Sequence, residues 1–291
     1  MKHTTNLRNL LMHEEILVMP GAQDALTAKI IEQAGFKALI LGGYAISASI
    51  LGQPDVGLLT LTEMTDQAKN IINAVGIPVL VDGDTGHGGI TNVIRTVREF
   101  EKAGAAGLLL EDQVFPKRCG HMAGKQVIEP EEMVSKIRAA VDTRSDADMV
   151  IVARTDARAV YDLENAIHRA HLYEAAGADL IFIEAPQNEM ELRRINHEVH
   201  MPTLANMVEG GKTPRFTAAE LENMGFAAVA FPVSSLYATA WAVERLMAEL
   251  NRTGTTRGCS DQMLSFNDFN RLIGLDKIRE MEARYHYPST P

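Results

Sequence analysis

Between Glu111 and His121 the chain reads Glu-Asp-Gln-Val-Phe-Pro-Lys-Arg-Cys-Gly-His. Two carboxylates end an apolar run there, and a single thiol follows between two cations and an imidazole. Positive charge beside Cys119 favours its thiolate, and Gly120 lets the backbone come close to a bound ligand. That pattern suits proton transfer to or from carbon. A small buried thiol in a basic loop is the plainer reading of the same residues.

Upstream, Asp82-Gly83-Asp84 closes another apolar run. Residues two apart at a strand end project to one side, and paired carboxylates repel unless a cation lies between them. With Glu111 or Asp112 arriving from the next run, the donors are all oxygen. That set suits magnesium or manganese and argues against zinc, the alternative being a solvated turn that caps a helix. Cys119-Gly120-His121 is too tightly spaced, and too short of further ligands, for structural zinc. Arg154 could clamp a substrate carboxylate or pair with Asp156 or Glu184.

Two glycine-rich segments fail as nucleotide motifs. Gly210-Gly211-Lys212-Thr213 lacks the leading glycine of a phosphate loop, since that position is Asn206. Gly83 to Gly89 carries an acid, Asp84, where a pyrophosphate needs neutral amides. His168, His171, His197 and His200 fall on predicted helices as surface residues, and Cys259 has no partner in a polar linker.

The elements that position these residues follow from periodicity. Short β-rich apolar runs at Ile16–Met19, Lys37–Leu41, Pro78–Val81, Gly107–Leu110, Met149–Ala153, Asp179–Ile183, Thr203–Ala205 and Ala227–Phe231 predict eight strands. Amphipathic segments separate them. The spacing predicts a helix across Leu61–Val75, and Thr217-Ala218-Ala219-Glu220 is a capping box with Gly225 placed to end its helix. Strict β–α alternation predicts parallel strands with crossover helices.

Eight units in this length match an α/β chain folded as a (β/α)8 barrel, whose site lies where the strands end. The residues just past the runs fit that reading: Asp24, Gly42-Gly43, Asp82 to Asp84, Glu111-Asp112, Arg154 to Asp156, Glu184, Asn206 and Ser234. A doubly wound open sheet also alternates, but it needs polar groups only at its switch point. Residues 1–291 therefore read as one barrel domain with a C-terminal helical extension over about 261–285. One amphipathic helix is expected from Asn267 to Tyr285, beyond the polar linker Arg252 to Ser260. Its apolar face needs another surface, which predicts a homo-oligomer.

Composition sets the remaining bounds. The chain has 291 residues, 46% hydrophobic and 23% charged, with a formal net charge of -10. No basic stripe interleaved with aromatics is present, so neither nucleic acid nor an anionic membrane surface is expected as partner. A small-molecule substrate is. Two cysteines without a Cys-x-x-Cys pair, a polar stretch from Met1 to Glu15 unlike a signal peptide, and no long apolar run predict a cytoplasmic protein that does not span a bilayer.

Lys117-Arg118-Cys119-Gly120-His121 after Glu111-Asp112, with Asp82-x-Asp84 upstream and Ala153 to Ala157 downstream, resembles the isocitrate lyase and phosphoenolpyruvate mutase superfamily. The resemblance runs from about Asn6 to Tyr285. It implies a (β/α)8 barrel with its last helix exchanged between subunits of a homotetramer, Mg2+ in the site, and bond making or breaking next to a pyruvate-like enolate. By the same resemblance Cys119 is the proton donor, Asp82, Asp84 and Glu111 serve the metal, and Asp55 lies near it. Gly42, Gly43, Tyr44, Lys117, Arg118, Gly120, His121, Arg154, Glu184 and Asn206 are the substrate contacts, and residues from about Phe115 to Val127 form a mobile gate. Asp55, Tyr44 or a metal-bound hydroxide is expected as the base.

Two departures bear on the substrate. The loop after the second strand reads Gly42-Gly43-Tyr44 where the family usually has Ser or Thr followed by small residues. The segment Ser234 to Trp241 contains no arginine where lyases of tricarboxylates carry one. A third buried carboxylate without a cation is disfavoured, so a methyl-bearing dicarboxylate is expected. Tricarboxylate cleavage, oxaloacetate hydrolysis or decarboxylation, phosphonate mutase chemistry and a non-catalytic sensor or scaffold barrel are the alternatives.

Overall fold

The computed structural model describes residues 1–13 and 15–285. All eight expected strands are present: β1 Leu17–Pro20, β2 Leu39–Leu41, β3 Val79–Asp82, β4 Gly107–Glu111, β5 Val150–Thr155, β6 Leu180–Ile183, β7 Leu204–Asn206 and β8 Ala228–Phe231. They pair in parallel as β2-β3-β4-β5-β6 and as β1-β8-β7. Single parallel bridges, Gly21 to Ile40 and Ile181 to Thr203, join the two groups and close the ring. The expected (β/α)8 architecture is the one observed.

Strand alternation divides the core. Leu80, Leu109, Val150, Val152, Leu180 and Ala230 point into the barrel. Their neighbours Val79, Val81, Leu108, Leu110, Ile151 and Ile181 pack outward against the helices. The helix His3–Leu11 contributes Leu7 and Leu11 to the inner cluster. Its Arg8 reaches Asp179, just before β6, at 2.9 Å, so this helix sits at the end where the strands begin.

The helix Leu61–Ile72 starts at a full capping box of Thr60 and Glu63. Thr217 and Glu220 form the second, and Gly225 follows that helix with φ of 97°. Both local signals act as the sequence indicates.

Residues 1–236 form one compact unit, and a second begins at Tyr237. Two features of the second unit differ from the sequence expectation. The helix Ser234–Thr253 runs into the start of the expected linker, and a 3-10 turn, Arg257–Gln262, begins inside it and ends beyond it. The single helix expected from Asn267 is two, Phe266–Leu272 and Leu275–Arg284, because Gly274 adopts φ of 89°, a left-handed break that glycine accepts without strain. None of these helices has a buried residue, and Trp241, Met247, Phe266, Phe269 and Met281 are exposed.

Candidate active site

The C-terminal ends of the strands converge on a cavity of about 70 Å³ lined in part by Gly42, Gly43, Tyr44, Asp55, Asp82, Cys119, Gly120, His121, Arg154, Glu184 and Asn206. Asp82 ends β3, where its Oδ2 accepts the Gly43 amide at 3.0 Å and its Oδ1 accepts the Asp84 amide at 3.0 Å. The chain then leaves extended geometry: Asp84 has φ of 49°. Strand alternation therefore does not explain how the two aspartates converge; a left-handed turn does. A Cβ on Gly43 would lie 2.9 Å from Asp84 Oδ1 and 3.4 Å from Asp82 Oδ2, so glycine is what lets this strand end approach both carboxylates. The Gly43 amide is already donated to Asp82, which removes it from the donors open to a substrate.

Lys117 reaches inward from the gate, its Nζ 2.7 Å from Asp84 Oδ1 and 2.7 Å from Asp55 Oδ1. Arg154 Nε lies 2.9 Å from Asp156 Oδ2, its NH1 3.2 Å from Glu111 Oε2 and its NH2 3.4 Å from Glu184 Oε2. The paired reading of this arginine is the one seen, and the side chain also lines the cavity. Asn206 donates its Nδ2 to Glu184 Oε2 at 3.2 Å, and its Oδ1 is buried without a partner. That oxygen is an acceptor available to a bound hydroxyl.

Adjacent residues divide sharply. Glu111 faces the acid cluster, whereas Asp112 turns away to Thr155 Oγ1 at 2.7 Å, Tyr173 OH at 2.8 Å and Arg169 NH1 at 3.1 Å. Lys117 is buried in the cluster, whereas Arg118 is exposed and donates to the Ala123 carbonyl at 3.2 Å. The expectation that Arg118 contacts substrate is corrected on that ground: the Gln113 carboxamide holds the Arg118 backbone amide and carbonyl at 3.0 and 2.8 Å, turning its side chain outward.

Asp55, Asp82, Asp84, Glu111, Asp156 and Glu184 outnumber Lys117, Lys125 and Arg154 two to one, and all are buried. Burial drives the Asp84 carboxyl up to about 7, with Asp82 and Asp55 adding to the rise and Lys117 opposing it. Burial lifts Glu111 well above the ordinary carboxylate range against Arg154, and Glu111 Oε1 has no hydrogen-bond partner. A buried excess of carboxylate oxygen with an orphaned acceptor fits a hard divalent cation. Asp82, Asp84 and Glu111 are the residues that would hold it.

A stability consequence follows. Below about pH 4 the Asp84 carboxyl is protonated folded and unfolded alike. Between there and about 7 the folded state retains a proton that the unfolded state releases, so stability falls as pH rises, and the penalty is complete above about 7. A divalent cation bound there would relieve it. The rise in Tm produced by saturating Mg2+ should therefore be larger at pH 8 than at pH 5 in thermal melts, and an increment independent of pH would count against Asp84 as a ligand.

The segment expected to form a gate is closed at its stem by an antiparallel bridge between Gln113 and Val127. The Cys119 amide donates to the Asp55 carbonyl at 3.1 Å. Lys125 Nζ binds the Gly120 carbonyl and lies 2.5 Å from Asp156 Oδ1. His121 Nε2 is 3.4 Å from Glu184 Oε1, and its Nδ1 accepts the Lys212 amide at 3.0 Å. Gly211-Lys212 is thus a docking point for the gate rather than a phosphate loop. Lys125 was missed in the sequence because an isolated lysine after a glycine has no periodic signal. Phe182, under the Arg154 guanidinium at 5.4 Å, was missed because it reads as an ordinary core residue.

Burial pushes the Cys119 thiol above its ordinary value, despite the His121 amide and Arg154. This reverses the expectation of a favoured thiolate: desolvation outweighs the cations, because Asp55 and Glu184 offset them. A protonated thiol is what a proton donor requires. A Cβ on Gly120 would lie 2.5 Å from both Arg154 NH2 and Glu184 Oε2. Gly120→Ala should keep the fold but prevent the gate from seating, lowering kcat/KM by about 10²-fold, the scale of an ångström-sized misplacement; steady-state kinetics alongside a thermal melt would check this.

A family model described as phosphoenolpyruvate phosphomutase matches residues 7–251. The chain belongs to that family. It is 51% identical over 285 residues to 2,3-dimethylmalate lyase of Eubacterium barkeri, covering 98% of this chain and 99% of that protein. A crystal structure of 2,3-dimethylmalate lyase, described as a PEP mutase/isocitrate lyase superfamily member, superposes with a TM-score of 0.94 at 36% identity, over 99% of this chain and 97% of that one. Phosphonopyruvate hydrolase in complex with oxalate and Mg++ superposes with a TM-score of 0.90 at 30% identity, over 99% of this chain and 100% of that one.

Proposed function

We propose that this protein is a Mg2+-dependent carbon-carbon lyase that cleaves 2,3-dimethylmalate to pyruvate and propionate. The observation that carries the reading is the charge inventory of the cavity. Among its described lining residues Arg154 is the cation, and His121 is held towards neutrality by burial. Ile40, Leu109, Phe182, Leu204, Ala230 and Pro232 supply apolar wall. Methyl substituents suit that wall, and a third carboxylate would be buried without a counter-charge.

The ion held by Asp82, Asp84 and Glu111 would neutralise substrate carboxylate charge and acidify the 2-hydroxyl. Arg154 orients a carboxylate and the Asn206 carbonyl accepts from the hydroxyl. Asp55 or Tyr44 takes the hydroxyl proton. The hydroxyl oxygen becomes the ketone of pyruvate as the adjacent carbon-carbon bond breaks, and the electron pair passes to the departing carbon. Cys119 Sγ then gives its proton to that carbon, forming propionate. Residues from about Phe115 to Val127 exclude water meanwhile, so solvent does not compete.

Two unpaired cysteines support a reducing, cytoplasmic setting. No helix among the described residues is long and apolar enough to cross a membrane. The exposed apolar side chains of residues 237–285 support assembly into a homotetramer.

Pyruvate release with Mg2+ from 2,3-dimethylmalate and from 2-methylisocitrate, under the same conditions, tests the reading. Higher kcat/KM for the dimethyl compound is expected. Preference for methylisocitrate overturns the charge argument, and release from neither moves the activity to oxaloacetate or phosphonate substrates.

A further inference from the structure

His171 and Glu174 sit one turn apart on the helix Leu163–Ala175, and His200 lies in the segment entering β7. This is the end of the barrel where strands begin, opposite Asn206 and the cavity. Sequence periodicity assigned His200 to a helix; the helix Glu189–Glu198 stops before it. In the loop it faces the other two.

The donor spacing admits a metal ion. His171 Nδ1 lies 3.1 Å and His200 Nδ1 3.4 Å from Glu174 Oε2. One donor atom from each of the three residues lies within 4.8 Å of the others. A tetrahedral ion with bonds of about 2.0–2.1 Å separates its ligands by about 3.3 Å. The two histidine-carboxylate distances bracket that value.

The carboxylate is also fixed from behind. Glu174 Oε1 accepts the backbone amides of His200 at 2.7 Å and Met201 at 2.8 Å. Those bonds hold the carboxylate plane and leave Oε2 aimed between two imidazoles, the kind of outer support that orients metal ligands. Side-chain exposure of 12% for Glu174, 39% for His171 and 81% for His200 leaves an open side for solvent or a fourth ligand. A surface ion pair alone would gain little from two imidazoles on one oxygen.

We propose that His171, Glu174 and His200 form a second metal site that takes Zn2+ or a similar transition-metal ion. Its two nitrogen donors set it apart from the all-oxygen cluster, which favours Mg2+. The ion ties the end of one barrel helix to the loop feeding β7, at the face where TIM barrels secure stability rather than catalysis. Binding therefore raises stability without altering turnover.

The test uses the full chain, stripped with chelator and returned to millimolar Mg2+, then titrated calorimetrically with ZnCl2 and melted. The expected result is a Zn2+ equivalent that persists in Asp84→Asn and disappears in both His200→Ala and His171→Ala. A Tm rise on the order of 5 °C at a hundredfold excess over Kd should go with it. Turnover of the two histidine variants with Mg2+ should equal that of the parent. Zn2+ stoichiometry and Tm response unchanged in His200→Ala and His171→Ala would overturn the site, as would loss of that equivalent in Asp84→Asn. This outcome is independent of which malate the enzyme cleaves.

Discussion

Cys119→Ser should fold, bind Mg2+ and lose about 10²- to 10⁴-fold in turnover, the range a positioned general acid contributes. The fold should survive because the gate is held through backbone and neighbouring side chains: the residue 119 amide on the Asp55 carbonyl, Lys125 on the Gly120 carbonyl, and His121 on the Lys212 amide. None of these involves sulfur. Turnover should fall because a hydroxyl is a much weaker acid than a thiol and would hold its proton against the carbon that must receive it. Burial raises the thiol above its ordinary value, so it is protonated at neutral pH and remains a donor. The kcat of the parent enzyme should consequently stay level through neutrality and decline only at pH values above the ordinary thiol range, as the donor ionises. In D2O the parent should place one deuterium on the propionate carbon in a single stereochemical sense. A serine variant retaining more than about a tenth of parental turnover would remove Cys119 from the proton-transfer step.

The barrel was legible because two local periodicities agreed along most of the chain. Leu80 and Leu109 alternate with Val79, Val81, Leu108 and Leu110, and polar or glycine residues appear just where each such run ends. Strand ends were therefore readable as site positions: Asp82, Glu111, Arg154, Glu184 and Asn206 all come from them. What was not legible lies in loops, where tertiary contacts rather than periodicity orient side chains. Lys117 and Arg118 are adjacent cations with opposite fates, decided by a carboxamide at Gln113 and a carboxylate at Asp55. Glu111 and Asp112 part because Arg169 and Tyr173, on the helix Leu163–Ala175, satisfy only the second. The charge state of Cys119 was misjudged for a related reason. Sequence neighbours showed the cations, while the burial that raises the thiol, and Asp55 and Glu184 that add to the rise, come from distant segments.

Asp84→Asn should abolish the response to Mg2+ while leaving the metal-free protein at least as stable as the parent at pH 8. The two halves of that prediction have one cause. Asparagine keeps the size of the side chain and tolerates the left-handed φ of 49° better than alanine would, so the turn after β3 is preserved. It removes a carboxylate whose ionised form is disfavoured by burial and by Asp82 and Asp55. Lys117 keeps Asp55 as a partner at 2.7 Å, so its ammonium is not stranded. Without metal, then, the substitution relieves a penalty that grows as pH rises. With metal, it removes a charged oxygen donor from a set that otherwise offers Asp82 and Glu111, and kcat/KM should fall by about 10³-fold or more, since each hard-cation ligand supports both affinity and placement. Asp112→Asn is the matched control. Asp112 is buried, adjacent to Glu111 in sequence and bonded to Arg169, Tyr173 and Thr155. Its loss should lower Tm with Mg2+ affinity retained, because removing one partner of a buried pair leaves Arg169 short of its counter-charge. Calorimetric Mg2+ titration and melts of both variants separate the cases. Parental Mg2+ affinity in Asp84→Asn would take Asp84 out of the metal site.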